Sequence, residues 1–303
     1  MLSGLFYWVL NLSILGGIAG LVVLSLRKIK ALPRFAVYVL WVLPLLRLWL
    51  PFGIASKYSL LSLISRFTTN TVVIREEFPQ LTMTNSIMAA DSYFPVEYKT
   101  RLLENVFSVA SEVWLIVCCA AILASVLLYL FTKSELKSAE PAGGNIYKSD
   151  RITVPAVYGI IHPKIIVPAA MADGNMEYVL LHEQTHISRG DNLFRFVAVI
   201  TACVHWFNPL AWVFLKCFFT DMELACDARV LKTLRESQVK EYAHAILACA
   251  SGKTFFASAF GGAKTKVRIE NILSYKKLMV LSSLCIAALI VVIAAVLVTN
   301  ASV

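Results

Sequence analysis

Apolar residues along this chain are gathered into long blocks separated by polar stretches. Residues 5–26, 113–131 and 278–299 contain no charged side chain, and a shorter Trp-containing block, 35–52, contains only Arg47. About 20 apolar residues carry a helix across ~30 Å of hydrocarbon, so the pattern predicts four transmembrane helices, the second of marginal length. Between them lie an outer loop over 53–111 and a polar-led region over 132–277. Arg47 and Glu112, near outer ends of spans, are expected to snorkel to the headgroups or to pair.

Finer patterns divide these regions. Residues 58–67 carry apolar positions at helical spacing and are expected to lie on the outer leaflet or to pack as a plain helix. Residues 134–150 are polar and Gly/Pro-punctuated, a linker into a soluble domain. Residues 152–168 are rich in β-branched side chains around Gly159 and Pro163, which predicts two short strands and a turn; Pro155 and Pro168 favour an edge position. The apolar stretch 193–219 resembles a further span, but Asn208-Pro209 divides it into arms of about 15 and 11 residues, each too short to cross. With Arg195, His205 and Lys216 inside it, it reads as a membrane-proximal helical hairpin.

Composition and charge strengthen the membrane reading. The chain is 58% hydrophobic and 16% charged, whereas soluble domains are nearer half and a quarter. Arg27, Lys28, Lys30 and Arg34 follow the first block directly. By the positive-inside rule this connection is cytoplasmic and the N-terminus external. Alternation then puts 132–277, with eighteen basic and thirteen acidic residues, in the cytoplasm and the C-terminus outside. The net charge of +9 is thus an orientation signal, and no nucleic-acid partner is expected. The first block is too long for a cleavable signal peptide and lacks a preceding basic residue. The seven cysteines avoid the outer loop and form no C-x-x-C pair, so they are expected to be buried apolar residues.

Chemistry concentrates in MEYVLLHEQTHISRGD, 176–191. On an amphipathic helix His182 and His186 share one face, where two imidazoles can grip one Zn²⁺, and Glu183 can act as general base on a water the ion activates. Two solvated histidines on a polar face are the plain alternative, and a third protein ligand decides between them. The H-E-x-x-H-x-x-G-x-x-H form is excluded, because Arg189 and Asn192 occupy its Gly and His positions. In DMELACDARV, 221–230, Glu223 can complete a His₂Glu set, and Asp227 one turn later can accept the spare ring N–H of a ligating histidine. Asp221 fits an exposed acidic face. An edge strand in 152–168 can take an extended substrate by strand addition, or be a plain hairpin. Tyr242, His244 and His205 are weaker candidates for stabilising an oxyanion, and 251–266 reads as a basic loop open to self-cleavage or as an ordinary linker.

HEQTHISRGD, HWFNPLAW (205–212), ELACD (223–227), VYGIIHPKIIVP (157–168) and RIENIL (268–273) together resemble the β-lactam-sensing antirepressor membrane metallopeptidases, the Bla/Mec receptor family. The resemblance extends over nearly the whole chain. It implies a gluzincin-like protease domain, zinc ligation by His182, His186 and Glu223, and Glu183 as the general base. It also implies a signal-activated protease that cleaves itself and a cytoplasmic transcriptional repressor, in antibiotic resistance regulation. Family receptors continue into a penicillin-binding sensor domain, whereas this chain stops at Val303; sensing is therefore expected to lie in 53–111 or in a partner, or the domain to be missing by truncation.

The expected architecture is thus an α-helical membrane protein with four transmembrane helices and a cytoplasmic, mainly α (α+β) zinc protease domain. Its expected partners are a cytoplasmic protein substrate, the chain itself and the lipid bilayer, and self-association is compatible. A membrane quality-control zinc protease and a non-catalytic signalling scaffold are the competing functions.

Overall fold

The computed structural model describes residues 2–29, 32–50, 55–56, 58–59, 101–135, 138–171, 173–249, 263–275 and 280–301. The expected helix at 58–67 and the loop at 251–266 lie largely outside them.

Helix α1 (Leu2–Leu26) is followed by two short helices, α2 (Arg34–Leu40) and α3 (Val42–Trp49). Pro44 has no N–H to give the Leu40 carbonyl, and the helix breaks at Trp41. Helix α4 (Arg101–Glu135) is 35 residues long. Two helices are long and apolar enough to cross a membrane, Leu2–Leu26 and Asn105–Ser134, and a shorter apolar stretch covers Leu284–Val298. The expected count of four spans is therefore corrected to two among the described residues. The second predicted span is lost to its proline break.

The helices pack closely through small residues. A Cβ on Gly20 would sit 2.2 Å from the ring of Phe214, and one on Gly16 2.5 Å from the Leu48 side chain, so both contacts depend on glycine. Arg47 is 3% exposed and donates to the carbonyls of Leu297 (2.9 Å) and Thr299 (2.6 Å), at the C-terminal end of the apolar helix Val280–Val298. A cation suits that end, where unpaired carbonyls gather. Arg47 thus neither snorkels nor meets Glu112. Nearby, β1 (Ala55–Ser56) pairs in parallel with Asn300–Ala301.

After α4 comes a four-stranded sheet built from β2 (Glu140–Gly143), β3 (Ile146–Ser149), β4 (Ala156–Tyr158) and β5 (Lys164–Pro168), in the order β2-β3-β5-β4. Strands β4 and β5 form an antiparallel hairpin. Gly159 turns it at φ +96°, where a Cβ would stand 2.7 Å from the His162 carbonyl oxygen, so only glycine fits. Pro155 precedes the edge strand β4. Pro168, in contrast to expectation, ends the inner strand β5, which tolerates it as a terminal residue.

Among the described residues, five helices complete the body: α5 (Asp173–Arg189), α6 (Asp191–Val204), α7 (Pro209–Thr233), α8 (Val239–Cys249) and α9 (Thr265–Leu273), ahead of α10 (Val280–Val298). The turn between α6 and α7 is capped by Asn208, whose side chain accepts from the Leu210 N–H, with Pro209 at the first helical position. Asn208 also donates to Ser13 of α1, and Trp114 of α4 donates to the Val204 carbonyl. The second arm does not stop at Phe219, because nothing in its sequence breaks a helix; α7 runs on to Thr233. Its first half joins α1, α2, α6 and α10 in one apolar core around Trp41, Phe214, Phe218 and Met222.

Candidate metal centre

Helix α5 buries opposite faces against different neighbours. Met176, Leu180 and Ile187 pack on Val157, Ile165 and Val167 of the sheet, while Tyr178 and Val179 join a core with α7, α8 and α9. His182 and His186 fall one turn apart between these contacts, and each is 4% exposed. The alternative of solvated histidines is thereby excluded. Helix α7 brings Glu223, Cys226 and Asp227 to the same place.

Hydrogen bonds assign the protons. Tyr242 is fully buried and donates its hydroxyl to Asp227 Oδ1 at 2.7 Å, so it accepts from His182 Nδ1 at 2.9 Å. Asp227 also lies 3.3 Å from that nitrogen directly. His186 Nδ1 donates to Asp191 Oδ2 at 2.6 Å. Both Nδ1 atoms therefore carry hydrogen, and the two Nε2 atoms are the ones turned toward each other. They stand 3.2 Å apart. Glu223 adds one oxygen 3.5 Å from His182 Nε2 and the other 3.6 Å from His186 Nε2.

Positive charge surrounds the cluster. Arg195 donates to Glu223 Oε1 at 2.6 Å. Arg268 of α9 grips Asp227 through Nε (2.9 Å) and Nη2 (2.7 Å), with Nη2 also 3.2 Å from His182 Nε2. Burial alone would raise the Asp227 carboxyl, but the Arg268 guanidinium, with His182, holds it far below the usual carboxylate range. Glu223 is likewise depressed: burial opposes ionisation, and His186, His182 and Arg268 more than offset it.

Cys226 is the residue that sequence reasoning left as a packing thiol. His182, His186 and Cys226 form a buried group whose donor atoms lie within 4.8 Å of one another, which makes Cys226 a rival to Glu223 as third donor. Its Sγ, however, meets His182 at Nδ1 (3.6 Å), the nitrogen already committed to Tyr242 and Asp227. Glu223 faces the two Nε2 atoms. The carboxylate is the better-placed donor.

Glu183 is half-buried beside His182, and among the described residues it makes no hydrogen bond or ion pair. Asp221 is not on an exposed face: it is buried, accepting from Arg27 (2.9 and 2.7 Å) and Trp41 (2.8 Å). The weaker candidates also move. Tyr242 is committed to Asp227 and His182, His244 is exposed, and His205 lies in the helix bundle, 3.1 Å from the Leu48 carbonyl oxygen.

Asp191, Arg195 and Arg268 escaped the sequence reading. A signal for Asp191 was present: Gly190 stands in the left-handed region at φ +67°, ends α5 and turns the next residue back onto His186. Arg268 lies 86 positions from His182, and no spacing rule reaches it.

Residues 7–273 match the family described as BlaR1 peptidase M56. The regulatory protein BlaR1 of Bacillus licheniformis is 39% identical over 103 residues, covering 33% of this chain and 17% of that protein. The methicillin resistance mecR1 protein of Staphylococcus aureus strain Mu50 is 32% identical over 105 residues, 33% of this chain and 18% of that protein. The regulatory protein BlaR1 of Staphylococcus aureus is 26% identical over 138 residues, 42% and 24% respectively. The aligned stretch thus spans less than a quarter of each relative. With the family match running through the helix bundle, the sheet and the whole donor cluster, the chain belongs to the BlaR1 peptidase M56 family of metallopeptidases.

Proposed function

We propose that this chain is a membrane zinc metalloendopeptidase with a cytoplasmic active site, the proteolytic part of a signalling receptor that cleaves itself and a cytoplasmic transcriptional repressor. His182, His186 and Glu223 hold the ion and Glu183 is the general base. What supports this reading most is the spacing of the donors. Four ligands at roughly 2.0–2.1 Å from a tetrahedral ion stand about 3.3 Å apart, and the facing atoms are separated by 3.2 to 3.6 Å. Two imidazole nitrogens and a carboxylate so spaced suit a small cation between them.

Zinc, when bound, polarises the scissile carbonyl and makes water nucleophilic at neutral pH. Glu183 takes a proton from the attacking water as the C–O bond forms. It delivers that proton to the amide nitrogen as the C–N bond breaks, leaving a carboxylate and an amine. Asp191, Tyr242 and Asp227 keep both imidazoles in the tautomer whose Nε2 is free. The positive charge after α1 and the basic excess of 132–277 support the cytoplasmic orientation.

The test is metal analysis of the full chain purified in detergent, together with its cleavage of a repressor or of itself. One equivalent of zinc is expected, retained in Glu183→Gln with cleavage abolished, and lost in Glu223→Ala. Absence of stoichiometric zinc, or undiminished cleavage by Glu183→Gln, would overturn the assignment.

A further inference from the structure

Asp221 and Glu223 are two residues apart on α7, so their side chains leave the helix about 200° from each other. Glu223 faces the imidazoles of α5, whereas Asp221 faces α1 and α2. Its carboxylate is fully buried and joins three elements. Arg27, the first residue after α1, donates through Nε to both oxygens, at 2.9 and 2.7 Å. Trp41, at the break between α2 and α3, donates its indole N–H to Oδ2 at 2.8 Å.

A second contact lies one turn away. Tyr38 of α2 stacks on Phe218 of α7, with ring centroids 5.5 Å apart, and donates its hydroxyl to Asp191 Oδ1 at 3.0 Å. The other oxygen of Asp191 holds His186. Tyr38 and Trp41 thus mesh with Phe218 and Asp221, neighbours on one face of each helix. Through them α2 reaches two of the three proposed metal donors, His186 by way of Asp191 and Glu223 by way of α7.

Stability alone gives little reason for the Arg27–Asp221 pair. Withdrawing two charges from water largely cancels their attraction, and apolar residues of similar volume often serve a fold as well. What apolar packing lacks is direction. Donors from two sides converging on one carboxylate fix α7 about its own axis. That angle matters at the metal. With side-chain tips about 5–6 Å from the helix axis, a rotation of about 20° moves a carboxylate by ~2 Å, whereas metal–ligand distances tolerate about 0.2 Å. We propose that Asp221, held by Arg27 and Trp41, is a positioning residue of the metal centre, setting the angle of α7 at which Glu223 meets both imidazoles. The proposal rests on the His₂Glu reading above. The ends of α1 and α2 thereby help to hold the ion, although neither contributes a ligand.

The full chain in detergent carries the test. Zinc affinity is read by chelator competition, ligand geometry by the visible spectrum of the cobalt-substituted protein, and stability by the unfolding temperature of the metal-free protein. Asp221→Asn is expected to weaken zinc binding ~10-fold and to shift the cobalt bands. Arg27→Met combined with Asp221→Leu replaces the pair by apolar side chains. Its unfolding temperature should equal or exceed that of the unaltered protein, while zinc affinity falls and the cobalt bands move. Trp41→Phe, which removes one donor and keeps an aromatic ring in place, should give a smaller change of the same kind, so the inference does not hang on one variant folding. Unchanged zinc affinity and cobalt bands in Asp221→Asn would overturn the positioning role, as would losses of zinc affinity that merely follow the unfolding temperature. In both cases, zinc held by the unaltered protein and lost in Glu223→Ala leaves the ligand set standing. Absence of stoichiometric zinc from the unaltered protein overturns both.

Discussion

Asp191 accepts the Nδ1–H of His186 at 2.6 Å on one carboxylate oxygen and the hydroxyl of Tyr38 at 3.0 Å on the other. A carboxylate behind a ligating imidazole fixes its orientation and raises its basicity. Asp191→Asn is therefore expected to weaken zinc binding ~10–100-fold in chelator competition, and Tyr38→Phe, which removes only the distant bond, to weaken it less. Equal zinc affinity in Asp191→Asn and the unaltered protein would show that this carboxylate plays no part in metal binding.

Tyr242 performs the matching task for His182, relaying between ring and Asp227. Tyr242→Phe leaves the Nδ1–H with only the 3.3 Å approach of Asp227. Zinc affinity should fall roughly 10-fold, and the cobalt-substituted protein should show a shifted visible spectrum. A role as oxyanion donor would instead leave the metal undisturbed and lower turnover alone.

These partners mark the limit of what the sequence made legible. The histidine pair was readable because helical periodicity puts positions four apart on one face, and Glu223 with Asp227 for the same reason. Asp191 required the left-handed Gly190, a feature of backbone rather than of spacing. Arg268 required tertiary packing that joins α9 to α7, and Cys226 looked like any buried thiol. In the bundle, hydropathy found the apolar blocks but not the break at Trp41. Length was read as span, although Pro44 was in view.

Removing Arg47 should be costly, because its charge is buried and donates to two carbonyls at a helix end, one of them buried. Arg47→Leu is expected to lower stability by ~2–4 kcal/mol, read as a depressed unfolding temperature in detergent. An unchanged temperature would mean that those carbonyls are otherwise satisfied.

Gly20 leaves no room for a methyl group against Phe214. Gly20→Ala should destabilise the α1–α7 contact by ~1–3 kcal/mol, and Gly20→Ala with Phe214→Leu should recover part of the loss. Failure of the second change to help would place the strain elsewhere.

Orientation is open to direct measurement. A reporter fused after Lys137 is expected on the cytoplasmic side and one near Arg75 outside, following the positive charge behind α1. The opposite labelling would invert the topology.

Helix α7 passes from the apolar core to Glu223 and Asp227 without interruption, 25 residues in all, or about 37 Å. Phe214, wedged against Gly20, and Glu223 ride on the same rod. A rod has no joint at which movement can be absorbed. Any turning of the bundle about α7 must reappear at the carboxylate, so the integrity of the donor set reports directly on how the helices beside it are seated.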